Sequence, residues 1–327
     1  CLLQTGAVDQ VIEDLRTREL MVEQEGALWF RSSVFGDDKD RVVRKQDGDF
    51  TYLASDLGYH RDKLLRGYDV LIDVWGADHH GYIPRMQALV QAYGHPKDRL
   101  RVVLVQMVNL LRGGLKVEMS KRAGEFITMR EVIDEVGADS AKFFFLMRRS
   151  DTHLDFDLDL AKKQSSENPV YYVQYAHARV ASLFRVAQER GIPVPRLDEV
   201  DLLLLTGPDE LEIIRKVSAF PTIVQGSAQA LEPHRLTYYL QELANLLHVY
   251  YYKHRVLPPR VEGESDLDEL KPAQGLLSEG EAPVHAFLCH EAVTPDQTAA
   301  RLVLLRQVQT VIRNGLTLLG LSAPERM

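Results

Sequence analysis

The run Val117-Glu118-Met119-Ser120-Lys121-Arg122-Ala123-Gly124 puts a lysine and a hydroxyl on a segment that ends in glycine. Lys116 and Arg122 add charge, and Gly113 and Gly114 precede it. Cations on such a loop can close over a triphosphate and stabilise the charge that develops on departing pyrophosphate. A solvated basic hairpin is the plainer alternative, and these residues alone do not decide between them. No Gly-x-x-x-x-Gly-Lys-Ser/Thr run is present, so P-loop phosphate binding is not supported.

Two other groups could do chemistry. Gly76-Ala77-Asp78-His79-His80-Gly81 follows a short apolar run. A glycine there lets a flat ligand approach the backbone, while Asp78 and the histidines can hydrogen-bond ribose hydroxyls or a carboxylate. One histidine could equally be a core or capping residue. Paired histidines can bind metal, but neighbours on a turn rarely point at one ion, and no ligand at helical i+4 spacing completes a set. No metal site is expected. In Tyr52-Leu53-Ala54-Ser55-Asp56, a helix would bring Tyr52 and Asp56 onto one face. A carboxylate beside a phenol can bind a guanidinium through two parallel N–H bonds; a capping Asp and a core Tyr are the alternative.

Further along, Tyr171, Tyr172 and Tyr175 with His177 and Arg179 crowd one helix. Tyr250, Tyr251 and Tyr252 with Lys253, His254 and Arg255 crowd another. Interleaved aromatics and cations suit stacking on unpaired bases and contact with phosphates. At least half of these tyrosines are expected in the core, since a three-residue run covers most of a helix circumference.

The elements that must position these residues show in the hydrophobic pattern. Val8, Ile12, Leu15 and Leu20 form a partial helical stripe, Leu28-Trp29-Phe30 and 41–44 read as strands, and Asp47-Gly48 is a hairpin signal. An apolar run over 68–75, a glycine, a helix from Pro84 and a second apolar run over 101–105 have the rhythm of a parallel α/β sheet. Ligands in such sheets sit at the carboxyl ends of the strands, just past Val74 and Val105. From Asn168-Pro169, an N-cap with Pro at the first helical position, the chain becomes an all-α bundle. Thr294-Pro295-Asp296-Gln297 has the capping-box form, and Leu302, Leu305, Val308, Ile312, Leu316 and Leu319 share a face.

Composition narrows the field modestly. With 45% apolar and 26% charged residues the chain is an ordinary soluble globular protein, and its length suggests roughly two domains. No apolar run reaches the ~20 residues of a membrane span. Cys1 and Cys289 are the only cysteines, which supports neither a disulfide framework nor a thiolate zinc site. The net charge of −8 argues mildly against nucleic acid. Residues 256–285, however, carry seven acids against two bases. That segment reads as an acidic surface loop or partly disordered insertion, and local basic surfaces elsewhere remain open.

Taken together, the motifs resemble class I aminoacyl-tRNA synthetases. The loop at 117–124 is similar to their Lys-Met-Ser-Lys-Ser signature. The run Asp73-Val74-Trp75-Gly76-Ala77-Asp78-His79-His80-Gly81-Tyr82-Ile83-Pro84-Arg85 resembles the arginyl type in particular. Phe143-Phe144-Phe145-Leu146-Met147, Leu154-Asp155-Phe156-Asp157-Leu158, the helix from Asn168 to Arg179 and the terminal Gly320-Leu321-Ser322-Ala323-Pro324-Glu325-Arg326-Met327 add to the likeness.

The resemblance implies an α/β plus all-α protein. Residues 1–164 would be the second half of a Rossmann-like parallel-sheet catalytic domain, and 165–327 a helical anticodon-binding bundle with an acidic insertion near 256–285. It implies ATP-dependent arginyl-adenylate formation followed by transfer of the arginyl group to the tRNA 3′ end. Tyr52, Asp56 and His80 would bind arginine, and Gly76, Asp78, His79 and Met107 would bind ATP. Met119, Ser120 and Lys121 would form the catalytic phosphate loop, and Tyr172, Tyr175, Arg179 and Tyr251 would approach the tRNA. Mg2+ is expected with ATP and no structural metal is expected; the expected partners are tRNA for arginine, arginine and ATP, and the protein is expected to be a cytoplasmic monomer.

Two departures stand out. Glu118 occupies the position of the signature's first lysine, where an acid near pyrophosphate is unfavourable unless it turns away or Lys116 substitutes for it. A His-Ile-Gly-His-like motif is absent, so the chain alone is expected to be inactive, with an incomplete sheet that exposes an edge and apolar surface. The rival reading is a non-catalytic fragment that binds tRNA or a partner. A reading frame that extends upstream of Cys1 and encodes that motif would favour the enzyme. A cysteinyl-type synthetase is disfavoured because two distant cysteines do not make its zinc site.

Overall fold

Apolar positions at helical spacing in the first segment fold as α1 (Ala7–Thr17), which buries Val8, Val11, Ile12 and Leu15. Residues 6–117, 127–259 and 293–327 are described by the computed structural model used here. Contacts divide the chain into two units, 1–107 with 150–152, and 108–149 with 153–327.

In the first unit an antiparallel sheet joins β1 (Met21–Gln24), β2 (Ala27–Phe30) and β3 (Arg41–Arg44) in that order. The Asp47-Gly48 signal marks a turn in which the Gly48 N–H donates to the Lys45 carbonyl at 3.1 Å. Gly48 has φ 91° there, the left-handed region that favours glycine. Beyond it an isolated bridge pairs Arg44 with Phe50. Helix α2 (Tyr52–Leu65) follows. Then come β4 (Leu71–Gly76), a 3-10 turn at 77–82, α3 (Ile83–Ala92) and β5 (Leu100–Val105). β4 and β5 pair in parallel, with Leu71 opposite Leu100 and Gly76 opposite Val105, the expected βαβ arrangement. Leu15, Phe30, Leu57, Met86, Leu89 and Leu100 are among the residues of its core.

The β4–β5 pair is buried on one face only. Leu71 and Asp73 point inward, while Val70, Ile72, Val74 and Val105 are exposed, Val74 to 65%. Among the described residues neither strand has a further sheet neighbour.

The second unit opens with β6 (Val108–Arg112), which pairs antiparallel with β7 (Leu115–Lys116) and parallel with β8 (Leu154–Asp157). Helices α4 (Met129–Val136), α5 (Ala138–Leu146) and α6 (Leu158–Lys162) accompany this sheet, around a core that includes Leu110, Val132, Phe144 and Phe156. The bundle consists of α7 (Pro169–Glu189), α8 (Pro208–Ser218), α9 (Phe220–Ala230), α10 (His234–Lys253) and α11 (Pro295–Leu318). The capping box at Thr294 is formed: Gln297 N–H donates to Thr294 Oγ1 at 3.2 Å, and Thr294 N–H donates to Gln297 Oε1 at 3.2 Å. Leu302, Leu305, Val308, Ile312 and Leu316 are buried as one face.

Asn168 is the N-cap of α7 and Pro169 its first residue, as expected, although the Asn168 side chain makes no capping bond and its Nδ2 donates backward to the carbonyls of Ala161 and Lys163. The segment beginning at 256 is not surface loop from its start, because Val256 and Leu257 lie in the bundle core; residues 260–292 lie outside the described ones. Of the six clustered tyrosines only Tyr250 is fully buried, while Tyr172 and Tyr251 are partly buried and pack against the same core.

A polar clasp closes the second unit. Ser322 N–H donates to Asp139 Oδ2 at 3.1 Å, and Lys142 Nζ donates to the Gly320 carbonyl at 2.8 Å. Gln174 donates to Asp139 at 2.8 Å and to the Ser322 carbonyl at 3.0 Å. His177 Nδ1 donates to the Pro324 carbonyl at 2.9 Å. The tail from Gly320 thereby ties α5 to α7.

Candidate functional site

The parallel register of β4 and β5 sets their carboxyl ends side by side, Gly76 against Val105, with Met107 two residues further and 69% exposed. At that edge the 3-10 turn begins. Gly76 has ordinary extended dihedrals, and a Cβ there would lie 2.6 Å from Asp78 Oδ1, so that the exposed carboxylate would have to swing aside. The carboxylate folds back over the bare backbone. Asp78 and His79 face each other at 3.6 Å, both mostly in solvent. His80 Nδ1 lies 3.3 Å from the Ala77 carbonyl, which holds the ring against its own turn.

Helix α2 begins at Tyr52, which is 92% exposed, and one turn later carries Asp56, which is half-buried. No described residue donates a hydrogen bond to the Asp56 carboxylate. Burial pushes its carboxyl above the ordinary range and Asp73 adds to this, while His60, His79 and Lys63 act against it. A half-buried acid without a donor is poised for a cation that would replace lost water. The opposing influence of His79 brings Asp56 into the electrostatic neighbourhood of the turn at the end of β4.

Behind Asp56 lies a group that sequence reading did not assign. His60 Nδ1 donates to the Asp56 carbonyl at 2.8 Å, and its Nε2 lies 2.7 Å from Asp73 Oδ2. Lys63 Nζ bonds to the other Asp73 oxygen and stands over the Tyr59 ring at 4.3 Å. His60 and Asp73 are both buried. Desolvation pushes the Asp73 carboxyl up, but the hydrogen bonds from His60 and Lys63 outweigh it and hold the group below its usual value. His60 is four residues after Asp56 on a helix and Asp73 is the lone acid in β4, but nothing in the spacing pairs the two.

In the second unit, Tyr172, Tyr175, Arg179 and Tyr251 do meet. The Arg179 guanidinium stands 4.2 Å from the Tyr251 ring centre and 5.9 Å from that of Tyr175. Tyr171 and Tyr175 stack at 6.2 Å. His248, unassigned from sequence, fills the middle, 4.6 Å from the Tyr172 ring and 5.7 Å from that of Tyr175. Its Nδ1 accepts from Arg179 at 3.4 Å and its Nε2 donates to the Tyr172 carbonyl at 3.4 Å. Burial first, and the Arg179 charge second, hold this imidazole down to about 3, so it is neutral in the folded protein. Met119, Ser120 and Lys121 lie outside the described residues, as does Glu118. Among the described residues no group of three or more His, Cys, Asp or Glu could hold a metal ion.

Two family models match this chain. The class I tRNA synthetase catalytic domain of the arginine type matches residues 3–155, and the DALR anticodon-binding domain matches 173–267 and 281–327. The fold is thus that of a class I aminoacyl-tRNA synthetase, a catalytic domain with a parallel sheet joined to a helical anticodon-binding domain. The chain is 51% identical over 326 residues to an arginine–tRNA ligase of Citrifermentans bemidjiense and 52% identical over 320 residues to that of Syntrophotalea carbinolica. These alignments take in 100% and 98% of this chain but 53% and 52% of the relatives. A Campylobacter jejuni structure described as a putative arginyl-tRNA synthetase superposes with TM-score 0.77 at 33% identity, covering 98% of this chain and 62% of that one. The Thermus thermophilus arginyl-tRNA synthetase shares the fold, with TM-score 0.69 at 20% identity over 100% of this chain and 59% of that one. The chain belongs to the arginine–tRNA ligase family, and it spans about half the length of the curated relatives it matches.

Proposed function

We propose that this chain supplies part of the catalytic domain and the anticodon-binding domain of an enzyme that activates arginine with ATP and transfers it to tRNA. The observation that carries the reading is Asp56: a half-buried carboxylate with no described hydrogen-bond donor, one helical turn from the exposed Tyr52. Two parallel N–H bonds from a guanidinium would satisfy it, and Tyr52 and His80 are assigned to the same arginine. Gly76, Asp78, His79 and Met107 form the ATP side, supported by the bare backbone at Gly76 and by the adjacent strand ends. Met119, Ser120 and Lys121 draw in the departing pyrophosphate, and Mg2+ accompanies ATP as substrate. The cluster of Tyr172, Tyr175, Arg179 and Tyr251 offers stacking faces and a cation to tRNA. The functional division falls at 164/165, a reading supported by the gap between the two matched spans.

The activity is proposed for a complete ligase that also carries the His-Ile-Gly-His side of the ATP site, acting as a cytoplasmic monomer. Among the described residues no helix is long and apolar enough to cross a membrane. Arginine-dependent ATP–pyrophosphate exchange tests the reading. Asp56→Asn removes a charge partner for the guanidinium, a loss of about 2–5 kcal/mol, so the arginine KM rises roughly 30-fold or more. ATP KM is unaltered. An unchanged arginine KM would refute the assignment. Residues 1–327 alone give no exchange above background; exchange by this chain alone would show that the second side of the ATP site is not required.

A further inference from the structure

We propose that His60 and Asp73 are positioning residues for arginine: a buried histidine–carboxylate pair that fixes the turn of α2 carrying Asp56 against the strand whose end binds ATP. This rests on the reading of Asp56 given above. Three observations carry it.

The first is the bonding of the His60 ring. Its Nδ1 is 2.8 Å from the Asp56 carbonyl, an oxygen that can only accept, so Nδ1 bears a proton. Its Nε2 is 2.7 Å from Asp73 Oδ2, and Asp73 also takes Lys63 Nζ on its other oxygen. The ring thus bridges a backbone oxygen on α2 and a carboxylate on β4.

The second is placement. Asp56 lies on α2, and Asp73 lies on β4 three residues before Gly76. The chain Asp56 carbonyl–His60–Asp73 therefore runs from the arginine subsite to the strand that presents the ATP subsite. It passes through a core of Leu53, Leu57 and Leu71. Arginine's carboxylate must meet the α-phosphorus of ATP, and small errors in that spacing are costly for an in-line reaction.

The third is charge. Lys63 and His60 consume the charge of Asp73, and among the three acids Asp56, Asp73 and Asp78 only Asp56 is left half-buried without a described donor or ion-pair partner. Burying a charged pair is a weak way to gain stability compared with packing apolar side chains. A pair kept at 2.7 Å in this core therefore calls for a role in specificity, and directing the incoming cation to Asp56 alone supplies it.

Substitutions test this. In the complete ligase, Asp73→Asn is expected to raise the arginine KM about 10- to 100-fold, the range seen when a residue that orients a ligand from behind is lost at metal centres, with the ATP KM held. His60→Gln, which keeps a donor toward Asp73, retains more arginine affinity than His60→Leu. Circular dichroism of each variant shows that it is folded. If Asp56→Asn raises the arginine KM while folded Asp73→Asn does not, the positioning role is wrong and the arginine site stands. If Asp56→Asn leaves it unchanged, the site itself is wrong.

Discussion

Replacing Arg301 with Met should unfold the helical unit early and leave the first unit untouched. Arg301 on α11 donates Nε–H to Glu210 Oε1 at 2.9 Å, with the two side chains 9% and 4% exposed, and donates Nη1–H to the Arg255 carbonyl at 2.7 Å. Removing one partner of a buried pair costs about 3–5 kcal/mol, because the other charge stays buried. Glu210 keeps the Tyr250 hydroxyl at 3.1 Å and the Gly207 N–H at 3.0 Å, so the loss belongs at the lower end, about 3 kcal/mol. For a unit of this size that is a fall of roughly 6–12 °C in Tm. The assay follows from the sequence: both tryptophans, Trp29 and Trp75, lie in the first unit, so their fluorescence follows that unit, while far-ultraviolet dichroism is dominated by the helices of the other. Thermal melts read both ways should show the dichroism midpoint shifted and the fluorescence midpoint in place. The double variant Arg301→Met, Glu210→Gln should recover part of the loss. An unshifted dichroism midpoint would show that the buried pair contributes nothing, and a double variant worse than the single one would refute the unpaired-charge account.

His248 is held down to about 3 from an ordinary 6.5, so the unfolded chain takes up a proton that the folded one refuses. Stability from this group is complete above pH 6.5 and falls as pH drops toward 3, by up to about 1.4 kcal/mol per pH unit. Urea titrations across that range should show the slope, and His248→Gln should lack it; equal slopes would refute the assignment. Gly76→Ala places a Cβ 2.6 Å from Asp78 Oδ1, an atom of an exposed and movable side chain. Its melting temperature should therefore stay close to that of the parent while the ATP KM of the complete ligase rises several-fold, and an unchanged ATP KM would remove Gly76 from the site.

How much was legible depends on whether a residue's partners are near in sequence. The stripe of α11 and its capping box are local, because helix period and the Thr294–Gln297 pair both act within a few residues, and both were readable. So were β4, its glycine and β5, since a parallel βαβ unit announces itself by alternating apolar runs and a helix. The role of Asp73 was not, because it depends on His60 and Lys63 reaching across from α2, 13 and 10 residues away. His248 was hidden for the same reason: it meets Arg179 only through tertiary packing, 69 residues apart. Asn168 was legible as the N-cap of α7, but the direction of its amide, drawn backward to the carbonyls of Ala161 and Lys163, was not. Val256 and Leu257 were masked by the acidic composition of the segment that follows them.

The clasp between the tail and α5 bears on how the chain is made. Asp139 and Ser322 are 183 residues apart. At about 5–20 residues per second, a ribosome delivers the second roughly ten to forty seconds after the first. Throughout that interval the start of α5 must wait with its acid in water, and α7 must wait with His177 lacking the Pro324 carbonyl. The helices between them can form as they emerge, but the joint that secures them is set last. A slow stretch of codons between Asp139 and Ser322 would therefore act on this joint before it disturbed any helix.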